Sequence, residues 1–223
     1  MNTMIINHLS VIFIGWITFL QTPPQFKDGK NTLEQFLNNN KVYPSYSKNH
    51  CIEGTIYVSF KIDHNGNILY AKVDKGLGID LDDEALRLIK LTSGKWTVSK
   101  PTYKTQKLVL PVSFTLDNPT CANKTTRDIK SAIANYQIQE QLQHTVFDYY
   151  EKKRKGENDP KMEAQIESLK KELGFDDNFI EQKLKEAQKM IQQKDIESAC
   201  KTLNIIHKIG SSAADKLIEE TCK

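Results

Sequence analysis

The sequence predicts an α+β domain, with a three-stranded antiparallel sheet and two helices, followed by an all-α region. Three segments, at 55–62, 68–73 and 107–116, have the apolar character of half-buried strands, and the first and third alternate clearly. After Asn118–Pro119 the composition shifts from β-branched residues, Gly and Pro to Lys, Glu, Gln, Ala and Ile. We therefore divide the chain into a leading segment at 1–22, a sheet domain at 23–122 and a helical domain at 123–223.

The bulk composition excludes some function classes. With 39% hydrophobic and 26% charged residues among 223, the chain suits one or two soluble domains with ordinary cores. The formal net charge of +3 is too small to favour nucleic acid or an anionic membrane as a partner.

The leading segment carries an apolar run from Leu9 to Leu20, and Pro23–Pro24 ends any helix there. A membrane-spanning helix needs roughly 20 apolar residues, so a cleaved signal peptide is favoured. The run has no preceding Lys or Arg and no clear small-residue cleavage site, so an uncleaved anchor counting back to Met4 stays open. Either reading places the protein in the periplasm, with membrane contact only through this segment.

The first elements of the sheet domain follow from short-range patterns. Residues 31–37 predict a short helix capped by Asn31 or Thr32 and ended by 38–40. The strand at 55–62 has alternate apolar residues, and Asn65–Gly66 predicts a hairpin because both residues tolerate positive φ. The return strand covers 68–73.

A helix from Asp80 to Leu91 follows, and Trp96 is expected in a loop. The acidic residues at its start could suggest a metal site, but acids at a helix N-terminus are better explained by capping and by the helix dipole. Lys107–Leu116 then forms the third strand.

The helix between the second and third strands returns the chain, so these strands run in the same direction. A right-handed crossover places the third strand beside the first, which gives the order second, first, third. The third strand is then an edge, and Pro111 inside it supports this position because proline cannot donate a ladder hydrogen bond.

Four cysteines in an exported chain favour disulfides, and their spacing does not favour zinc. Four cysteines allow three pairings. The predicted topology brings Cys51 near Cys121. In the helical domain, helices are expected at 126–154, 161–173, 177–193, 195–208 and 211–221. A helical hairpin turning at Gly210 brings Cys200 near Cys222.

No pattern of catalytic residues is present. The five histidines are scattered, and no nucleophile, zinc-binding or phosphate-binding motif is found. We expect no enzyme activity, no cofactor and no metal.

Several segments together resemble one family, the C-terminal domain of TonB-type energy transducers, in the form common in Bacteroidetes. The matching positions run in order from Phe26 to Phe114: Phe26 and Gly29, Leu33, Phe36 and Leu37, Tyr43–Pro44, residues 52–60, Asp63 and Gly66, residues 81–82 and 84–86, Trp96, and residues 111–114.

The resemblance implies a periplasmic fold whose free edge strand receives a short extended segment, the TonB box, of an outer-membrane transporter. Carried over, the docking strand consists of Lys107, Leu108, Val109, Leu110, Pro111, Val112, Ser113 and Phe114. The N–H groups that point outward would be those of the alternate residues Val109, Pro111 and Ser113. Pro111 has no N–H, so the ladder with a partner would be interrupted there. A competing interpretation is that Pro111 only protects the edge from aggregation.

Two departures from the family pattern leave alternatives open. Phe26 follows the apolar run almost directly, where a full transducer has a long Pro-rich spacer, and the helical domain is not part of the pattern. The leading hypothesis is therefore a periplasmic binding module for a transporter or another envelope protein. The alternative is a structural or assembly protein that uses the fold as a scaffold.

Overall fold

The computed structural model describes residues 24–27, 29–98, 106–157 and 159–222. The signal peptide or anchor expected at 1–22 lies outside these residues. The described chain folds into a mixed α/β module followed by five helices, with antiparallel sheets.

The strands are β1 (Gln25–Phe26), β2 (Gly54–Ile62), β3 (Ile68–Lys75), β4 (Trp96–Thr97) and β5 (Gln106–Phe114). The helices are α1 (Lys30–Asn40), α2 (Ser45–Asn49), α3 (Asp80–Leu91), α4 (Thr126–Arg154), α5 (Pro160–Glu172), α6 (Asp177–Gln192), α7 (Ile196–Lys208) and α8 (Asp215–Thr221), with a 3₁₀ turn at Pro119–Asn123. We call β1–β5 with α1–α3 the sheet module, and α4–α8 the helical half.

The main sheet has the order β3-β2-β5, and both pairings of β2 are antiparallel. This is the order expected from the sequence for the three main strands. The inward residues of β2 are Ile56, Val58, Phe60 and Ile62, none of which is more than 1% exposed. They pack against Leu81, Ala85 and Leu88 of α3, so the core lies between the sheet and this helix. Because one face of β2 and one face of α3 are buried, the apolar residues of both elements recur with a regular period in the sequence.

The hairpin between β2 and β3 is fixed by one side chain. Asp63 Oδ1 accepts the N–H groups of Asn65 and Asn67 at 2.9 and 2.8 Å. Gly66 has φ +83°, and a Cβ atom there would lie 2.2 Å from the Trp96 carbonyl oxygen. Only glycine fits this turn, because both the backbone conformation and the space exclude a side chain.

Several elements differ from the sequence expectation. Trp96 was expected in a loop, but it lies in β4 and pairs with Phe26 of β1. The module has three helices where two were expected, since α2 is an additional single turn. The helix α1 continues to Asn40 and begins after Gly29, without a side-chain cap from Asn31 or Thr32. These short features depend on tertiary contacts, which local patterns do not encode.

The acidic residues of α3 act differently from simple capping. The residue before the helix, Ile79, provides no side-chain cap. The carboxylate of Asp82 accepts the N–H groups of Leu77 and Gly78, both at 2.9 Å, and so fixes the loop that leads into α3. The carboxylate of Asp80 accepts the N–H of Ser47 at 3.2 Å and also its hydroxyl, which joins α2 to α3.

The helix α4 connects the two parts. Thr125 and Asp128 form a capping box at its start. Ile129, Ala132 and Ile133 join the core of the sheet module, while Val146 and Tyr149 join a second core with α5. The first part of α4 therefore packs in the sheet module, beyond the boundary expected at 122.

Both expected disulfides are present. Cys51–Cys121 joins the start of β2 to the chain after β5, across 70 residues. Cys200–Cys222 joins α7 to the end of α8 across 22 residues. Gly210 in the intervening turn has φ +83°, and a Cβ atom there would meet the Tyr150 ring at 2.1 Å.

Removing the long disulfide should cost more stability than removing the short one. In the chain-entropy account, Cys51→Ala with Cys121→Ala should lower the free energy of unfolding by about 4 kcal/mol, and Cys200→Ala with Cys222→Ala by about 3 kcal/mol. Urea unfolding followed by circular dichroism measures both. A larger loss from the second pair would contradict this reading.

Candidate functional site

The eight residues from Lys107 to Phe114 all lie in β5, at the edge of the main sheet. Their register is continuous along β2, from Phe114 opposite Gly54 to Lys107 opposite Lys61. Val112 and Phe114 are buried on the core side, and Leu108 and Leu110 are half-buried there. Lys107, Val109, Pro111 and Ser113 are exposed, with Val109 at 50%.

The backbone of β5 has an outward side away from β2. Pro111 lies opposite Tyr57. Proline has no N–H, so it fits a position whose backbone points away from β2 and donates no hydrogen bond to that strand. The carbonyl of Ser113, of the same parity, accepts a hydrogen bond at 2.7 Å from Lys41 Nζ, which comes from the segment between α1 and α2. Both observations favour Val109, Pro111 and Ser113 as the outward-facing residues.

The C-terminal end of this edge is held firmly. The N–H of Leu116 donates to Glu53 Oε1, and the Cys51–Cys121 disulfide follows. The hydroxyls of Thr55 and Ser113 lie 3.0 Å apart across the two strands. The disulfide and these hydrogen bonds therefore restrict the movement of this end of the strand.

The face of the sheet away from α3 is open and mixed in character. Tyr57, Tyr70 and Val109 are 40, 54 and 50% exposed. At its centre Ser59 donates to Asp74 at 3.0 Å, and Lys72 lies 3.3 Å from the same carboxylate. The hydroxyl of Ser59, with help from the lysine, lowers the pKa of Asp74.

The helical half attaches to the opposite side of the sheet module. At the end of α1, Lys189 donates to the Lys41 carbonyl and Gln193 donates to the Asn40 carbonyl. At α2, Glu186 accepts the Ser45 N–H, and the Ala132 carbonyl accepts the Tyr46 hydroxyl. Arg87 of α3 is the third point of attachment. Within 24–27, 29–98, 106–157 and 159–222, no hydrogen bond joins the helical half to β5. These contacts do not favour a helical half that covers the edge.

Arg87 is the centre of this attachment. Its guanidinium is 7% exposed and donates five hydrogen bonds, at 2.6–2.9 Å, to Glu84, Asp195, Gln193 and the Asn40 carbonyl. A guanidinium has five N–H groups, so all are used. Burial raises the pKa of Glu84, and the guanidinium opposes that shift.

A cleft of about 410 Å³ lies between α2, α4 and the turn before α6. Asp80 lines it, and burial raises the pKa of this carboxyl group. A deep polar pocket with a perturbed acid is one feature of an active site. Here the two hydrogen bonds from Ser47 give Asp80 a structural role. No group of three or more His, Cys, Asp or Glu residues suited to a metal occurs in the described part of the chain.

The fold is a small α+β module whose main sheet has two edge strands, β3 and β5. A family described as Gram-negative bacterial TonB protein C-terminal matches residues 39–116. This match confirms the resemblance that the sequence showed, over that segment. The helices of the helical half lie outside it.

Among solved structures, the NMR solution structure of the Helicobacter pylori TonB-CTD is similar. It is 25% identical, the match covers 40% of this chain and 94% of that chain, and the TM-score is 0.33. No curated protein matches. In the described residues, no helix has both the length and the apolar character needed to cross a bilayer.

The loss of stability on substitution of Arg87 should be that of a buried ion pair, which is larger than that of a surface ion pair. Arg87→Met leaves the Glu84 carboxylate buried without its partner, so the free energy of unfolding should fall by about 3–5 kcal/mol. Adding Glu84→Gln removes the uncompensated charge and should recover part of that loss. Urea unfolding at neutral pH measures both variants, and a loss under about 1 kcal/mol for Arg87→Met would show that the network is marginal.

Asp80 should give the protein a measurable pH dependence. Because its pKa is raised in the folded state, the folded protein binds a proton more tightly than the unfolded chain, whose Asp pKa is about 3.9. Stability from this group therefore rises as the pH falls through the folded pKa. The free energy of unfolding of the native protein, relative to Asp80→Asn, should increase as the pH falls from 7 to about 3.9, the Asp pKa of the unfolded chain. A constant difference would contradict the raised pKa.

Proposed function

We propose that the sheet module is a periplasmic protein-binding module that takes an extended peptide segment along the outer edge of β5. The TonB-family match at 39–116 supports a transport-associated, protein-binding role and an envelope location. Domains of this family interact with envelope proteins such as outer-membrane transporters and are not enzymes. The partner we propose is a TonB box-like segment of such a transporter.

The observation that carries this proposal is the position of β5. The strand is one of the two edges of the main sheet and pairs with β2 on one side only, and the helical half is attached to α2, α3 and the segment around Asn40 and Lys41. Strand addition uses the backbone groups of such an edge for affinity and alternate side chains for selectivity. The outward groups are then the N–H and carbonyl of Lys107 and Val109, the carbonyl of Pro111 and the N–H of Ser113, whose carbonyl already accepts Lys41 Nζ.

A proline substitution tests the edge without adding charge. Val109→Pro removes one outward N–H and should leave the inner ladder with β2 intact, as Pro111 does. Capture of outer-membrane transporters from envelope extract, identified by mass spectrometry, should fall about five- to ten-fold, since a ladder hydrogen bond contributes about 1 kcal/mol and the ring also obstructs the approach.

The matched control is Val109→Thr, which keeps the N–H and the β-branched shape and should capture the same transporters as the native protein. Leu110→Pro should instead destabilise the fold by about 3 kcal/mol or more, because it removes an inner ladder donor. Equal transporter capture by Val109→Pro and by the native protein would rule out docking on this edge.

A further inference from the structure

The ammonium group of Lys41 lies at the C-terminal end of the proposed docking edge. Its Nζ donates to the Ser113 carbonyl at 2.7 Å and to Asn38 Oδ1 at 3.0 Å. It also lies 5.3 Å from the centroid of the Phe114 ring. The Lys41 ammonium therefore occupies the Ser113 carbonyl, the last outward carbonyl of β5, which a paired strand would otherwise bind.

In the part of the chain that the structure describes, this ammonium forms no ion pair with a carboxylate. In the described residues no Asp or Glu oxygen lies within 4.0 Å of Lys41 Nζ, whose neighbours are two neutral oxygens and an aromatic ring. The side chain is half-buried, and burial lowers the pKa of Lys41 against the opposing charge of Glu84. A partly desolvated cation gains more from an approaching carboxylate than a fully hydrated one does.

The backbone that carries Lys41 is fixed by the helical half. The Lys41 carbonyl accepts Nζ of Lys189 from α6. The preceding carbonyl, that of Asn40, accepts Arg87 Nη2 at 2.7 Å and Gln193 Nε2 at 2.9 Å. Two of these contacts, from Lys189 and Gln193, come from outside the segment that matches the family.

The opposite end of β5 is different. Lys107 is exposed, and its Nζ already lies 3.9 Å from the Asp74 carboxylate. Among the described residues, Lys107 Nζ therefore has a carboxylate within 4.0 Å and Lys41 Nζ has none. This difference favours a partner whose acidic side chain lies beside Ser113 over one whose acidic side chain lies beside Lys107.

We propose that Lys41 is a specificity-determining residue of this edge, and that the segment docked on β5 carries an acidic side chain at the end that lies beside Ser113. This inference rests on the proposed function. The backbone ladder runs from Lys107 to the N–H of Ser113, and the carboxylate of the partner meets the ammonium of Lys41 where the ladder ends. Charge complementarity selects an acidic extended peptide over a neutral or basic one.

The test uses the full disulfide-bonded chain and synthetic peptides as long as β5, nine residues. All alternate Thr and Val and have blocked ends. One has no charge, two carry a single Glu at the first or the last position, and two carry Lys there. Binding is measured from the NMR shifts of the β5 amides during titration. One of the two Glu peptides should bind about five-fold more tightly than the neutral peptide, and its Lys counterpart more weakly.

The preference for that Glu peptide should disappear in Lys41→Met and persist in Lys41→Arg. The matched control is Lys61→Met, which removes an exposed lysine of β2 at the other end of the sheet from Ser113 and should leave it unchanged. Thermal unfolding of each variant shows that it is folded. Equal affinity for the Glu and neutral peptides, or a preference that survives in Lys41→Met, would overturn the role of Lys41 while edge docking stands. If no peptide shifts the β5 amides, edge docking itself fails.

Discussion

The buried guanidinium of Arg87 is the constraint on which the arrangement of the molecule depends. Removing a cation from water costs several kcal/mol, and the cost is offset only when its hydrogen-bonding groups are satisfied. Here all five donors are satisfied by Glu84 of α3, by the carbonyl of Asn40 at the end of α1, and by two side chains near the start of α7, Gln193 and Asp195. The same Glu84 also accepts the Val42 N–H at 2.7 Å. Three parts of the chain that are far apart in sequence therefore meet at one group.

This attachment determines which surfaces remain for a partner. Because the helical half is fixed on α2, α3 and the segment after α1, the open face and the β5 edge lie on the other side of the module. The segment at Asn40–Lys41 links the two sides, since its carbonyls bind the helical half and the Lys41 ammonium reaches Ser113. Helices outside the family match thus contact the segment that carries Lys41, and Lys41 contacts an edge within the match.

Whether an element could be predicted from the sequence depends on how far apart in the chain its stabilising residues lie. The strands β2 and β5 and the helix α3 were readable because each buries one face over several alternations or turns. The two disulfides followed from that topology. By contrast, β1 and β4 have two residues each, and their pairing depends on the packing of Phe26 against Trp96 at 5.5 Å. The single turn of α2 depends on Ser47 and Asp80, which lie 33 residues apart.

The sequence by itself predicted the order of the main strands, the edge position of Pro111 and the pairing of the four cysteines, because periodicity, chain reversal and turn positions together define a topology that brings these residues to their places. Only the tertiary structure decided where the helical half attaches, that Arg87 is buried, and that Lys41 lies at the edge. Those features join residues such as Arg87 and Asp195, 108 positions apart, through side-chain geometry. An isolated Arg or Lys in a polar stretch of sequence carries no sign of its partner, since most such residues are solvated.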